Sequence, residues 1–396
     1  MTMKIIIVGG GVIGASLAFA IYKLSNKNID IVLIEKNLPI YNKLNNNFKT
    51  IALSYDTAKF YKTIGLWYKK LDKYVTSIVK INISEGNIGI NFNISAINYM
   101  IPAFGYVINL QDAQKLIFEE IKTTNIKLLC PNTVVDLIQH VDYISVSLND
   151  GQIINGQLLI AADGTCSTIS KLSKISYYSK IYKQNAVTAD LITSILPNGI
   201  AFEKFTTSGL VTILPKINDR SALIWCYFQD KYYNIYNWDK TLFVTELQKI
   251  FGMRLGKLNL IGKPCYYPIN LSYANNIIAH RIVLIGNAAQ TIHPIAAQGF
   301  NLGMRDVSAL SYLLIQADNN HIDIGNYSLL MNYQQIRTND RNHIINFTDN
   351  LINIFTKKDL FTLLFRYVGF LTLDTFPVIR DIVFEKIYNN LKKYYV

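Results

Sequence analysis

Gly9, Gly11 and Gly14 stand at G-x-G-x-x-G spacing within KIIIVGGGVIG, residues 4–14. That spacing suits one task, bringing backbone against a pyrophosphate. The first glycine permits a tight turn, the second lets the chain approach the phosphates, and the third lets a helix pack on the preceding strand. Glu35 follows about where a ribose-binding acid stands in such units. A second stretch, RIVLIGNAAQTIHPIAAQGFNLGMRD at 281–306, breaks at Gly286-Asn287 and resumes at Gly299. A helix that opens at glycine offers free backbone N–H groups and a positive dipole end, which suit an electron-rich, partly anionic group. The bland readings are a glycine-rich turn that binds nothing and, for Glu35, a polar strand end.

These residues need particular elements to hold them. Ile5 to Val8 is an apolar, β-branched strand fit for burial on both faces, and Ala15 to Leu24 is the helix after it. Ile29 to Ile34 is a second strand, ending at Glu35. Leu38 to Asn47 is polar and reads as loop, and Thr50 to Leu66 as helix. Thr76 to Ala96 alternates and predicts a hairpin turning at Glu85-Gly86-Asn87. Asn109 to Lys122 predicts a helix, Thr133 to Ile154 antiparallel strands, and Leu158 to Ala162 a buried strand stopping at Asp163-Gly164. Ala186 to Gln229 is strand-like between turn residues, Thr241 to Phe251 is helical, and the chain is helical from about 306 onward.

At 396 residues, half of them apolar, the chain has length for two or three domains and a large core. Lysine and arginine number 39 against 27 acids, a net +12. Two readings of that charge stand: attraction to anionic cofactors or an anionic membrane face, and solvated lysines spread over the surface. Cys130, Cys166, Cys226 and Cys265 lie far apart without C-x-x-C or a Cys/His cluster, so neither a disulfide framework nor a metal site is expected. Cys166 reads as a small buried filler. No signal peptide and no bilayer-spanning run is expected, and a cytoplasmic setting fits, with a peripheral place on the inner membrane as the other option. Nothing points to nucleic acid.

In this order, GGGVIG at 9–14, AADGTCS at 161–167 and GNAAQTIHPIAAQGFNLGMRD at 286–306 carry a family resemblance. The chain resembles the single-component FAD-dependent aromatic hydroxylases, and within them the ubiquinone-biosynthesis hydroxylases, the group containing 2-octaprenyl-6-methoxyphenol hydroxylase. Weaker echoes are KTIALS at 49–54, FGYVINLQ at 104–111, EKFTT at 203–207, FGMRLG at 251–256 and FTDNLINIF at 347–355. The resemblance implies an α/β (α+β) fold: a Rossmann-like FAD-binding domain from 1–75, 100–180 and 270–345, an inserted β-sheet-rich substrate domain from 76–99 and 181–269, and a helical C-terminal segment, 346–396. It implies FAD as cofactor, NAD(P)H as co-substrate, and O2 used through a flavin C4a-hydroperoxide to hydroxylate a polyprenylated phenol. Other ubiquinone-biosynthesis proteins are implied as partners. A flavin hydroxylase of a soluble aromatic substrate and a flavin-binding scaffold subunit remain open alternatives.

Residue by residue, the resemblance assigns Gly9, Gly11 and Gly14 to the FAD pyrophosphate and Glu35 to the adenosine ribose. It brings Lys49, where arginine is usual, toward a phosphate and Gln111 near the flavin or its ribityl chain. It sets Asp163 and Gly164 near both FAD and the nicotinamide donor, and Asn287 at the ribityl or pyrophosphate region. Pro294 to Gly303 would line the isoalloxazine ring, with the backbone N–H groups of Gly299, Phe300 and Asn301 at its N1–C2=O edge. Departures from the family pattern are Lys49, Gln290 for histidine, Ala297 for glycine and Ser170 for arginine; a methyl group at 297 would narrow the flavin loop or demand a negative φ. His293, beside that loop, is the candidate catalytic residue, with local packing or hydrogen bonding as the alternative. Arg305-Asp306 reads as a functional or a structural ion pair. The apolar and lysine-rich segment Phe347 to Tyr395 is fit equally to cover the core or to meet a membrane.

Overall fold

The structure is a computed structural model that describes residues 3–25, 29–37, 49–68, 70–86, 91–206, 208–232, 234–356 and isolated residues between 368 and 382. Lys4–Val8 pairs in parallel with Asp30–Ile34 on one side and Leu158–Ala161 on the other, so both of its edges are paired, and its alternating side chains are buried on both faces. That explains its unbroken apolar run: Ile5, Ile6 and Ile7 are fully buried, each worth about 1.5–3 kcal/mol relative to exposure. The sheet runs Ile278–Ala279, Ile282–Leu284, Leu158–Ala161, Lys4–Val8, Asp30–Ile34, Lys127–Leu129. Helix Val12–Leu24 is buried almost all round because it is sandwiched between this sheet and helices Leu110–Ile121 and Gln298–Asn319. A three-stranded antiparallel sheet, Val134–Gln139, Ile144–Leu148 and Ile153–Gly156, is the predicted one.

A second large sheet has eight strands, in the order Gln290–Thr291, Leu258–Ala274, Tyr177–Thr193, Arg220–Phe228, Gly209–Pro215, Ile200–Thr206, Lys80–Glu85, Asn91–Ser95. Helix Lys240–Phe251, capped by Asp239, covers one face through Phe243, Leu247 and Phe251, which pack with Trp225 and Leu258. The opposite face carries Phe205, Leu210 and Cys226, which pack with Ile295 and with Ile352 and Phe355 of helix Tyr327–Thr356. A turn at Asn218-Asp219 joins Gly209–Pro215 to Arg220–Phe228, both residues having positive φ, and Lys80–Glu85 pairs with Asn91–Ser95 as the expected hairpin. Asn87, at its tip, lies outside the described residues, as does the expected loop from Leu38 to Asn47.

Several expectations need correction. Thr50–Ser54 is a strand, and only Tyr55–Thr63 of the expected helix is helical. Pairing of Thr50–Ser54 with Gly105–Asn109 overrides the helical spacing of Ala52 and Leu53, and Ser54 then caps the helix by accepting from Thr57 N at 3.1 Å. Cys166 is exposed, not a buried filler, because it sits in the turn just ahead of the helix-capping Ser167. The segment expected from 346 onward is helical to Thr356 as the end of Tyr327–Thr356, and most positions beyond Thr356 lie outside the described residues. No described helix is long and apolar enough to cross a membrane.

Candidate active site

At the first corner Gly9 has φ +103°, and a Cβ there would lie 2.4 Å from the Ala162 carbonyl oxygen. A Cβ on Gly14 would lie 2.0 Å from the Gly9 oxygen. Both positions are closed to any side chain. Gly11, in contrast, has nothing within 4 Å of its would-be Cβ, so the backbone there faces open space at the head of helix Val12–Leu24. Glu35 closes the corner: one carboxylate oxygen accepts from Gly10 N and the other from Asn37 N. Gln114, which sequence reasoning missed, donates to Gly10 O at 3.2 Å; its only signal was a place on the helix after FGYVIN.

The second corner packs directly on the first. Gly286, at φ +58°, and Gly303 would each place a Cβ within about 3.1 Å of Ile13, so the head of one helix seats on the other corner. Asn287 is exposed at the turn Gly286–Ala288. Helix Gln298–Asn319 starts at Gln298, ahead of Gly299 and Phe300, and the Asn301 side chain fixes this start. Its Oδ1 accepts from Ser54 N at 2.8 Å and Thr57 Oγ1 at 3.0 Å, while its Nδ2 donates to the Ala52 and Ala297 carbonyls. Strand pairing also sets Lys49 opposite Leu110, the residue before Gln111, because Leu110 N donates to Lys49 O at 2.8 Å.

A family model described as an FAD binding domain matches residues 2–348. The chain belongs to this FAD-binding family. It is 29% identical over 356 residues to ubiquinone hydroxylase UbiL of Rhodospirillum rubrum, covering 89% of this chain and 81% of that protein. It is 25% identical to 3-demethoxyubiquinol 3-hydroxylase of Escherichia coli, over 85% of this chain and 86% of that one. In fold it is similar to p-nitrophenol 4-monooxygenase PnpA of Pseudomonas putida DLL-E4, with a TM-score of 0.78, 15% identity, and 98% and 99% of the two chains covered. The resemblance to FAD-dependent aromatic hydroxylases and the Rossmann-like fold class are borne out. The protein is an FAD-binding enzyme.

The residues present fit FAD. Helices Tyr55–Thr63, Thr168–Leu172 and Lys240–Phe251 are capped by their own Ser54, Ser167 and Asp239 side chains. The two helices at the glycine corners have no side-chain cap and no acid in the first turn, so their N–H groups are left for an anionic ligand. Asp163 accepts from Thr168 N at 2.7 Å through Oδ2, while its buried Oδ1 has no partner among the described residues. Gly164, at φ +87°, opens onto empty space beside it.

The departures from the family pattern acquire physical meaning here. Gln290 donates to Asp306 at 2.8 Å, so it pins the second corner from below. Ser170 is buried and bonds to Ser167, leaving Lys171 and Lys174 as the nearby cations. Ala297 adopts φ +50°, so the expected negative φ does not occur: the start of the next helix, held by Asn301, imposes a left-handed residue just before it. An alanine there costs about 1 kcal/mol. Ala297→Gly is therefore expected to raise the urea midpoint by a stability gain of about 1 kcal/mol with the slope unchanged; an unchanged or lower midpoint would count against this strain.

Arg305 and Asp306 do not pair with each other, because adjacent helical residues face different ways. Arg305 bonds Asp340 at 2.6 Å, and Asp306 accepts from Arg337 at 2.6 Å and from Gly286 N at 2.9 Å. Pro294 leads into the turn Ile295–Ala297, and His293 beside it is buried with both nitrogens engaged. Its Nδ1 accepts from Ile295 N at 3.1 Å, so Nε2 carries the hydrogen toward Gln184 Oε1 at 2.8 Å. Burial pushes its imidazolium down to about 4, against a weaker upward pull from Asp349. At neutral pH this histidine is an uncharged loop brace. It borders a small apolar cleft, open in part to solvent, with Phe205, Leu210, Cys226, Ile295, Ile352 and Phe355 as its wall.

Proposed function

We propose that this enzyme is an FAD-dependent monooxygenase that uses NAD(P)H and O2 to hydroxylate the ring of a polyprenylated phenol in ubiquinone biosynthesis. The observation that carries the reading is the apolar cleft beside the loop 293–297, at the foot of the helix whose uncapped N–H groups would meet the flavin. Phe205 and Phe355 stack at 3.8 Å across its wall, a surface suited to a prenyl chain and unsuited to a carboxylate-bearing soluble aromatic. The names and 25–29% identities of the curated relatives support the same substrate class.

In this reading Gly9, Gly11 and Gly14 hold the pyrophosphate, Glu35 the adenosine ribose, and Lys49 and Gln111 the far side of the cofactor. Asp163, Gly164 and Asn287 meet the ribityl region and the nicotinamide donor. Pro294, Gly299, Phe300 and Asn301 frame the ring through backbone. When bound, flavin accepts a hydride from NAD(P)H and, with dioxygen, supplies an electrophilic oxygen atom. The chain's own work is to orient the phenol, exclude water and manage its proton. The eight-stranded sheet supplies the substrate side and the parallel sheet the cofactor side, and the protein works against the inner membrane, where such substrates reside, in contact with other enzymes of the route.

The purified protein is expected to be yellow and to oxidise NAD(P)H at least tenfold faster when a short-chain prenylated phenol is added in detergent, with one hydroxylated product per O2. Colourless protein that takes up no FAD would end this reading. Stimulation by a soluble hydroxybenzoate alone would replace its substrate, and FAD binding without substrate-stimulated oxidation would replace it by the scaffold role.

A further inference from the structure

We propose that Tyr182 and Asp349 are positioning residues that set the width of the apolar cleft and thereby the prenyl chain it accepts, an assignment that rests on the hydroxylase reading above. Lys180, Tyr182, Gln184 and Ala186 stand at alternate positions of strand Tyr177–Thr193 and share one face of the sheet. Ala186 packs with Phe205, Leu210, Cys226 and Ile295, the cluster that walls the cleft. Tyr182 packs against the same cluster, as do Ile352 and Phe355. The Tyr182 hydroxyl donates to Asp349 Oδ1 on helix Tyr327–Thr356, and its ring meets His293 edge-on at 5.4 Å. One side chain therefore joins the helix that closes the cleft to the loop that borders it.

The strand is built to make this contact. Its pairing with Leu258–Ala274 shifts register between Ile181 and Gln184, which leaves Tyr182 and Lys183 unpaired on that side, and Lys183 has φ +54°. Such a bulge re-aims the side chains around it, and a lysine in the left-handed region persists only where its surroundings enforce it. Beyond Arg341, Asp349 is the only side chain of helix Tyr327–Thr356 that hydrogen-bonds to another element among the described residues. Ile352 and Phe355 follow within the next two turns, and Phe355 stacks on Phe205 at 3.8 Å. Lys180 also bonds Asp349, at 2.7 Å, but its side chain is 40% exposed, so water screens that pair. The Tyr182 hydroxyl, set in the packed cluster against a charged acceptor, is the stronger tether. Without it the end of the helix is free to move off the sheet, carrying Ile352 and Phe355 with it. The wider cleft grips a long chain less well and admits water beside the reacting ring.

Tyr182→Phe keeps the ring on His293 and removes only the hydroxyl. In flavin-fluorescence titrations of the FAD-loaded protein, its Kd for a phenol bearing a farnesyl chain is expected to rise about tenfold, while its Kd for the same phenol without the chain stays within about twofold of wild type. Its FAD affinity should match wild type, and more of the NAD(P)H it consumes should end as hydrogen peroxide. Asp349→Asn still accepts from Tyr182 and should bind both phenols nearly as wild type does, whereas Asp349→Leu should lose the preference for the chain. The double variant Tyr182→Phe, Asp349→Leu should bind no worse than Asp349→Leu alone, the mark of two residues acting as one unit. An unchanged Kd for the farnesylated phenol, an equal loss for both phenols, additive losses in the double variant, or Asp349→Asn as weak as Asp349→Leu would each overturn the assignment. Wild-type protein that binds FAD but shows no phenol-stimulated oxidation would instead bring down the hydroxylase reading, and this role with it.

Discussion

Gly14→Ala is expected to give a protein that retains no FAD through gel filtration and that unfolds more readily by about 3 kcal/mol, the upper part of the range for overpacking. The added Cβ would sit 2.0 Å from the Gly9 oxygen and 3.0 Å from the Ala162 Cβ, both on rigid strand ends. Helix Val12–Leu24 must then move off the sheet, and Ile13, which seats the second corner through Gly286 and Gly303, moves with it. One methyl group thereby disturbs both pockets at once. Gly11→Ala separates the two effects. Gly11 has φ −59°, open to alanine, and no protein atom near its would-be Cβ, so the apoprotein should melt as wild type does. FAD affinity should still fall on the order of a hundredfold, about 2.8 kcal/mol, because the methyl occupies the ground of the phosphates. Isothermal titration and melting of the two apoproteins check the pair, and a Gly14→Ala protein with wild-type FAD affinity would refute the packing described here.

Much of this site is legible in the sequence because backbone does its work. A G-x-G-x-x-G between strand and helix dictates φ and close approach with no help from distant residues, so Gly9, Gly11, Gly14 and the Glu35 end of the second strand are readable locally. The corner from Gly286 to Gly303 is readable for the same reason. What escaped depends on partners far along the chain. Strand Thr50–Ser54 exists because Gly105–Asn109 pairs with it. The 17-residue strand Leu258–Ala274 contains Pro264 and Pro268, which argue locally against a strand, and it forms on the long edge offered by Tyr177–Thr193. Asp349 lay within a noted echo, yet its role becomes apparent only once its helix is seen to meet Tyr182, on a strand far back along the chain. Arg305 and Asp306 read locally as a pair because their true partners, Asp340 and Arg337, lie on the distant helix Tyr327–Thr356.

That helix sets the second large prediction. Arg305, Asp306, Arg337 and Asp340 form a fully buried quartet: Asp340 bonds Arg305 and contacts Arg337, each at 2.6 Å, and Arg337 bonds Asp306 at 2.6 Å. Burial alone would push the Arg337 guanidinium down, but Asp306 and Asp340 outweigh it and keep it charged, so two cations balance two anions. Asp340→Ala leaves one excess positive charge in the core, a loss of about 3–5 kcal/mol for a buried pair broken on one side. It should also weaken FAD binding at a distance, because Arg337 also reaches Leu302 O and Asp306 holds Gly286 N, both at the second glycine corner, the one proposed to meet the flavin. The combined Arg305→Met, Asp340→Leu variant should recover much of the stability, since an apolar pair of similar volume needs no compensating charge. Were the quartet only a structural clamp, the double variant would also regain FAD affinity. If it sets the position of the second corner, unfolding midpoints should recover while the dissociation constant for FAD stays high. Denaturant unfolding and FAD titration on the three proteins therefore decide between a clamp and a positioning device.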